Sequence, residues 1–450
     1  MDTSINDTIA PPKTAAPHAP VPTGARLRVG ITAVAIVTVA ALIGVVQFKL
    51  GPGKVILQPM LWALLISAAW GICYRYLPRG LGVDVPLQRY SASLLNAGLL
   101  LFVAKLGITV GGSLPQVKEA GWGLLFQEFG HAFGTLALGL PLALMLGIKR
   151  EAVGSTFSVG REPNIAIIGE KYGMDSPEGR GVLAEYITGT VLGALFIAVF
   201  ASFITSLNIF HPISLAMGAG VGSGSMMAAG VGAIAELHPE LNKEIGAVAA
   251  ASNLLTTVFG FYFTMFLSLP TCSWLYGKLE PVLGRLTRRG RSASAEPGHQ
   301  IEQEAAHATG FGDSLLAWVV ISVGVAIGNV INYKADWLVS FEGVAIVMLV
   351  VLICEGAKRL IPRMPLLLVV SIVATLAGLP GIFPFSKELA DINGHINFLN
   401  YTTPVLALAG FSAAKDLPVF RRLSWRIVVV SLVATAGTFI GATVVAELFH

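Results

Sequence analysis

Val153–Gly173 reads VGSTFSVGREPNIAIIGEKYG, and it places Ser155, Thr156, Ser158, Arg161, Glu162, Asn164, Glu170 and Lys171 inside a strongly apolar chain. A helix that spans a bilayer needs about twenty predominantly apolar residues in a row, and this stretch has no such run. Polar backbone broken by glycine and proline survives at membrane depth only where it is buried in protein or lines a watery cavity. Gly218–Glu236, GAGVGSGSMMAAGVGAIAE, has the same character. The two stretches predict re-entrant hairpins over 153–173 and 218–236, held face to face by the rest of the chain.

The composition sets the class of that frame. The 450 residues are 54% hydrophobic and 12% charged, against about 25% charged in a soluble domain, and the mean hydropathy is +0.73. These values predict an all-α polytopic membrane protein. Fifty glycines suit close helix packing and interrupted helices. The net charge of +4 comes from basic residues grouped in loops, a pattern of membrane orientation and not of nucleic-acid binding. Cys73, Cys272 and Cys354 have no metal-ligand spacing and read as small buried hydrophobes.

Along the chain, 1–28 is a Pro/Ala/Thr-rich tail expected to be disordered, without the layout of a signal peptide. About eleven full spans follow, near 29–48, 55–76, 91–111, 122–147, 181–207, 244–268, 312–332, 338–355, 365–383, 396–415 and 424–447. They group as scaffold helices over 29–147, a core over 148–270 that holds both hairpins, a loop over 278–311, and further helices over 312–449. Arg26, Arg28, Arg75, Arg79, Arg89, Lys149 and Arg150 put the N-terminus inside. If both hairpins dip in and return, the arginines at 285, 288, 289 and 291 also fall inside, as do Lys358, Arg359, Arg363, Lys415, Arg421, Arg422 and Arg426. Lys49, Lys54 and Lys118 fall outside against the rule.

An internal repeat is compatible with this topology. Gly107, Leu114, Pro115, Lys118, Trp122 and Gly134 recur at one common offset as Gly410, Leu417, Pro418, Arg421, Trp425 and Gly437. In this topology the span near 91–111 runs outward and its counterpart near 396–415 inward, so the repeat is inverted. Gly154-Ser155 and Gly222-Ser223 match between the hairpins. Inverted repeats with broken helices that meet near the midplane are the construction of secondary transporters.

Phe157–Asn164, FSVGREPN, and Gly222–Met227, GSGSMM, resemble the family of uncharacterised bacterial membrane proteins numbered 3100 among the domains of unknown function, best over residues 85–270. More distantly the layout is similar to elevator-type carriers, the sodium/glutamate symporters and the 2-hydroxycarboxylate transporters. That resemblance implies two Gly-rich hairpins, one in each inverted half, and a homodimer. Here the hairpins lie close together in sequence, so one repeat is permuted.

Residue chemistry narrows the site. Gly220–Ser225 lets backbone approach a ligand and then opens a helix whose free amides and dipole favour an anion; the competing reading is a glycine packing seam. Arg161 and Asn164, with Ser155 and Ser158, stand at the other tip. A buried arginine either holds a substrate carboxylate or pairs with Glu162 or Glu185. Glu185, Ser252, Asn253 and Thr402 offer oxygens for a coupling ion, Na⁺ or H⁺, or hydrogen-bond neighbouring helices. Gln127, Glu128 and His131 share one face of a span. Glu128-x-x-His131 has the spacing of a dimetal ligand pair, but the further carboxylates of such a site are missing, so no metal is expected. No motif of a zinc protease, an α/β hydrolase or a nucleotide-binding loop is present. The expectation is an ion-coupled secondary transporter of a small organic anion in the bacterial inner membrane, multi-pass, surrounded by lipid, with no cofactor and no nucleic-acid partner. A channel or export module is the alternative, and a membrane enzyme built on Glu128 and His131 a third reading.

Overall fold

The computed structural model describes residues 22–78, 80–112, 114–160, 162–174, 176–220, 222–284, 310–358 and 366–449. The chain is an all-α protein whose one sheet, among the described residues, is a two-stranded ribbon. The helices before the first hairpin are α1 (Thr23–Ile43), α2 (Pro59–Ile72), α3 (Val85–Gly112) and α4 (Leu114–Met145), with β1 (Val46–Leu50) and β2 (Gly53–Leu57) between α1 and α2. Then come α5 (Glu151–Thr156), α6 (Glu162–Lys171), α7 (Pro177–Thr188), α8 (Ala194–Ser206), α9 (Pro212–Ala219), α10 (Gly224–Leu237), α11 (Asn242–Phe263) and α12 (Leu269–Leu283). The chain finishes with α13 (Phe311–Tyr333), α14 (Trp337–Lys358), α15 (Leu366–Gly378), α16 (Ser386–Gly394), α17 (Leu399–Phe420) and α18 (Trp425–Glu447). Single π-helical turns, Gly189–Gly193 and Thr264–Ser268, join α7 to α8 and α11 to α12. Among the described residues seven helices are long and apolar enough to cross a membrane, which makes this a multi-pass membrane protein.

Glycine decides how closely the helices approach. The most extensive pairing is α4 with α18. A Cβ at Gly130 would run into the Gly441 carbonyl, and one at Gly134 into the Gly437 carbonyl. Position 130 therefore meets 441 and 134 meets 437, so the two helices are antiparallel. Each presents small residues four apart, which brings backbones into contact where lipid offers no hydrophobic drive. Beside this contact Thr135 and Thr438 share a hydrogen bond of 2.5 Å. Two other pairs run parallel. Gly107 of α3 sits against the Ser371 carbonyl, the Ala374 side chain and the Thr375 amide nitrogen of α15; Gly410 of α17 sits against the Leu64 carbonyl, the Ser67 side chain and the Ala68 amide nitrogen of α2.

The bundle has a basic end. Arg26 pairs with Asp313 at 2.8 Å and Tyr90 donates to the same carboxylate. Arg28 donates to the Gly82 carbonyl, Arg426 to the Leu146 carbonyl, and the Arg150 guanidinium lies over the Tyr276 ring. At the opposite end the Lys54 amide donates to Ser206, and the His211 amide to Glu447 at 3.0 Å.

Several boundaries differ from the sequence reading. Helix α1 starts at Thr23, inside the predicted tail, because Arg26 is anchored to Asp313. Residues 46–57 form a β-ribbon where the ends of two spans were expected: alternating Val46–Leu50 pairs with Gly53–Leu57 across a turn that needs Gly51 at φ 59°. That ribbon leaves α2 only 14 residues long, and α15 has 13. Helices α11 and α17 carry Ser252, Asn253 and Thr256, and Asn400, Thr402, Lys415 and Asp416, and they too fall outside the seven. Helix α12 continues to Leu283, past the predicted start of the loop at 278, and α13 begins at Phe311. Residues 1–21, Arg79, 285–309 and 359–365 lie outside the described residues.

Candidate functional site at two broken hairpins

The first hairpin, α5–α6, leaves the basic end and returns to it. Ser176 caps α7 by accepting from the Gly179 amide at 2.9 Å, with Pro177 at the first helical position. That cap presents Glu178 and Arg180 to the start of α5. Arg150 pairs with Glu178 at 2.5 Å and Arg180 with Glu151 at 2.9 Å. The hydrogen bond to Glu178 holds the Arg150 guanidinium above its ordinary pKa. These two crossed pairs staple the base of the hairpin, and Gly154 and Gly181 let α5 and α7 touch through backbone. The neighbouring opposite charges of Lys149–Glu151 and Glu178–Arg180 are the sign of this staple in the sequence.

The second hairpin, α9–α10, starts at His211 beside Glu447 and returns to Glu236, which lines a cavity with Gly44 and Tyr333. Those residues lie at the end opposite the basic one, so the two hairpins approach the middle of the bundle from opposite ends. Helix α9 breaks at Gly220; Gly222 takes φ 103°, and Ser223 caps α10 by accepting from the Met226 amide at 3.4 Å. Ser225 is buried and shares a 3.3 Å contact with Ser223. Helix α10 runs 14 residues from this cap, so free amides and the positive end of its dipole face the break.

One helix ties both breaks together. From α11 and the π-turn after it, positions 253, 256, 260, 264 and 268 recur every three or four residues and share a face. Asn253 donates to the Gly220 carbonyl at 2.7 Å and to the Gly222 carbonyl at 3.3 Å, and Ser252 donates to the Met217 carbonyl at 2.9 Å. Thr256 donates to Glu128. Further along, Thr264 lies 3.5 Å from the Ser158 hydroxyl and Ser268 donates to the Phe157 carbonyl. The groups freed at both broken segments are thus met by one polar seam, as burial at membrane depth requires.

At the first tip Ser158, Gly160 and Asn164 come together: Ser158 accepts from the Gly160 amide at 3.1 Å, and Asn164 Oδ1 lies against Gly160. Asn164 is 1% exposed, yet neither amide atom has a hydrogen-bond partner among the described residues. Ser158 also lines a void of about 10 Å³ with Glu128, His131, Thr264 and Ser268. There Glu128 accepts from Gln127 at 2.8 Å and faces His131 Nδ1 at 3.7 Å, and His131 Nε2 is buried without a hydrogen-bond partner among the described residues. Among the described residues no group of three His, Cys, Asp or Glu side chains is placed to hold a metal ion.

The predicted site residues are divided by this geometry. Ser155 bonds its own helix at the Ala152 carbonyl and packs against α7, away from the tip. Glu185 is buried in α7 one turn before the π-turn, close to Gly189. Thr402 belongs elsewhere: it donates to the Leu399 carbonyl at 2.6 Å and lines the cavity near Glu236. No hydrogen bond joins Ser158 or Asn164 to Ser223 or Ser225 among the described residues, and Arg161 lies outside them. Glu128 and Thr256 join the seam as well; their signal in the sequence is a carboxylate within an apolar span and a threonine three residues after Asn253.

No curated protein and no solved structure matches this chain. A family described as Protein of unknown function (DUF3100) matches it over residues 38–278. That match covers more than half of the chain, both hairpins and the helix that ties them, and the protein belongs to the DUF3100 family.

Proposed function

We propose that this protein is an ion-coupled secondary transporter of a small organic anion, a carboxylate or an amino-acid-like compound, in the bacterial inner membrane with the basic end of the bundle in the cytoplasm. The observation that carries the reading is the crossed docking of the two hairpins. The one from the basic end meets the π-turn Thr264–Ser268 through Ser158 and Phe157. The one from the opposite end meets the other π-turn, where Met226 lies against Gly193. Isolated π-turns concentrate at functional sites, and broken helices that meet from opposite faces are how such carriers place substrate at the midplane.

Three details support an inverted repeat of eleven spans. Thr135 and Thr438, 303 residues apart, touch one another, as do Gly134 and Gly437 at the same offset. Repeat-related positions of two antiparallel helices coincide only on a two-fold axis across them. Gly107 and Gly410, again at that offset, meet a carbonyl, a side chain and an amide at the same relative positions of a parallel partner helix. Finally, α9 begins in space where α18 ends, at the contact of His211 with Glu447, just as α5 follows α4 in sequence. The second repeat is then α14, α15, α17, α18 and, permuted, α9–α12, with α13 the odd span. Two halves of similar energy exchange outward- and inward-open forms.

In this reading Ser223, Ser225 and the amides that open α10 hold the anion, with Ser158, Asn164 and Arg161 opposite. Glu185, Glu128 and Asn253 belong to the coupling-ion path, with Na⁺ or H⁺ as the ion, while the Ser252 hydroxyl is engaged by the Met217 carbonyl. The test is thermal stability of the purified protein against carboxylates and amino acids, with and without Na⁺, since a ligand of the folded state raises the melting temperature by mass action. A shift that needs both anion and Na⁺ and is lost in Arg161→Ala and Ser223→Ala supports a sodium-coupled carrier. A shift with the anion alone points to proton coupling or exchange. No shift across the panel removes the anion assignment. Counterflow in liposomes then separates carrier from channel, because a pore does not accumulate label.

A further inference from the structure

A cavity of about 330 Å³ opens at the end opposite the basic one. It lies between the start of α2, the end of α10, the end of α13 and the start of α17, with Gln58, Glu236, Tyr333, Asn400 and Thr403 in its wall. Its volume is in the range of small-molecule sites and far exceeds one desolvated metal ion. Among the described lining residues Glu236 is the one with a formal charge, and its carboxylate makes neither a hydrogen bond nor an ion pair among the described residues. Two amide groups of the wall are already engaged: Gln58 Nε2 donates to the Gly232 carbonyl at 2.8 Å and Asn400 Nδ2 to Asn329 Oδ1 at 2.9 Å. What the wall has left is the Asn332 amide, the Thr403 and Tyr333 hydroxyls, one carboxylate and the ring of Tyr333.

We infer that this cavity binds a small organic ammonium ion, with Glu236 as its counter-charge, the Tyr333 ring against the cationic head and the amide and hydroxyl oxygens accepting any N–H or O–H. A carboxylate as the one formal charge among the described lining residues disfavours an anion, and an aromatic ring in the same wall favours a cation of diffuse charge. The site is separate from the hairpin tips and does not rest on the transport reading. Its position has a consequence, because Glu236 ends the second arm of a hairpin while the opposite wall belongs to α2, α13 and α17. A bound ammonium ion bridges the hairpin arm and the surrounding frame and holds them together.

The test is a titration of the full-length purified protein with choline chloride, read as melting temperature, with sodium chloride and sodium acetate at matched concentration as controls. The expected result is a saturable rise with choline alone, an apparent affinity at least tenfold weaker in Glu236→Gln, and an unchanged affinity in Ser223→Ala. No saturable rise in the wild type, or equal affinity in Glu236→Gln, overturns the assignment. If Glu236→Gln does not fold, Tyr333→Leu and Thr403→Val carry the test: a fivefold loss in either supports the site, and wild-type affinity in both overturns it.

Discussion

Asn253→Leu removes the donor that holds the break of the second hairpin. Leucine keeps the heavy-atom count and branch point of asparagine, so the change acts chiefly through the two bonds to Gly220 and Gly222, at 2.7 and 3.3 Å. The first has full hydrogen-bond geometry and the second is at the weak end of the range. Leaving a buried acceptor unmet costs about 1–3 kcal/mol. Interhelical side-chain bonds in membrane proteins are worth about 0.6 kcal/mol on average and at most about 1.7. One strong and one weak bond in this setting give an expected loss of about 1–2 kcal/mol. Because about 1.4 kcal/mol is a factor of ten, the ordered tip falls about five- to thirtyfold relative to opened forms, and anion affinity falls by no more than that factor. The neighbouring Ser252→Ala removes a 2.9 Å bond to Met217, two turns of backbone before the cap, and serves as the control. It is expected to cost about 0.5–1.5 kcal/mol with anion affinity changed less than twofold. The assay is unfolding in mild detergent followed by tryptophan fluorescence, with ligand affinity from the same melts. Stability within about 0.3 kcal/mol of wild type for Asn253→Leu, or an equal effect of Ser252→Ala on affinity, refutes the reasoning.

Three further outcomes are expected. Cys73 is exposed while Cys272 and Cys354 are buried, so a membrane-impermeant maleimide labels Cys73 from the cytoplasmic side only; labelling from outside inverts the topology. Glu178→Arg alone brings a third cation to Arg150 and Arg180 and opens the hairpin base to protease, whereas Arg150→Glu with Glu178→Arg restores protection; Glu178 is buried while Arg150 is partly exposed, so the single change costs more than a surface pair's about 1 kcal/mol. Gly134→Leu drives a side chain into the Gly437 carbonyl and costs more than about 3 kcal/mol, read as loss of folded monodisperse protein; normal folding of that variant would contradict the backbone contact of α4 with α18.

The sequence by itself determined the class and the places where it is broken. Long apolar runs can only be lipid-facing or buried helices, and FSVGREPN and GSGSMM interrupt such runs with glycine, proline and polar residues, so both interruptions were legible before any fold was known. The common offset that links Gly107 to Gly410 and Gly134 to Gly437 was legible too, because glycine at a backbone crossing has no substitute. Tertiary structure decided what those signals could not carry. That α11 serves both hairpins depends on which helix packs beside them, and the seam from Asn253 to Ser268 looks like scattered small polar residues until both partners are in place. Thr402 and Asn253 have similar sequence surroundings, yet one lines a cavity near Glu236 and the other holds a hairpin tip. The staple of Arg150 with Glu178 joins residues on either side of the hairpin, and the β-ribbon at 46–57 was hidden because alternating apolar residues next to a span read as its continuation. In each case local pattern specifies how a segment is built, while its neighbours, set by packing across the whole chain, specify what its polar groups touch.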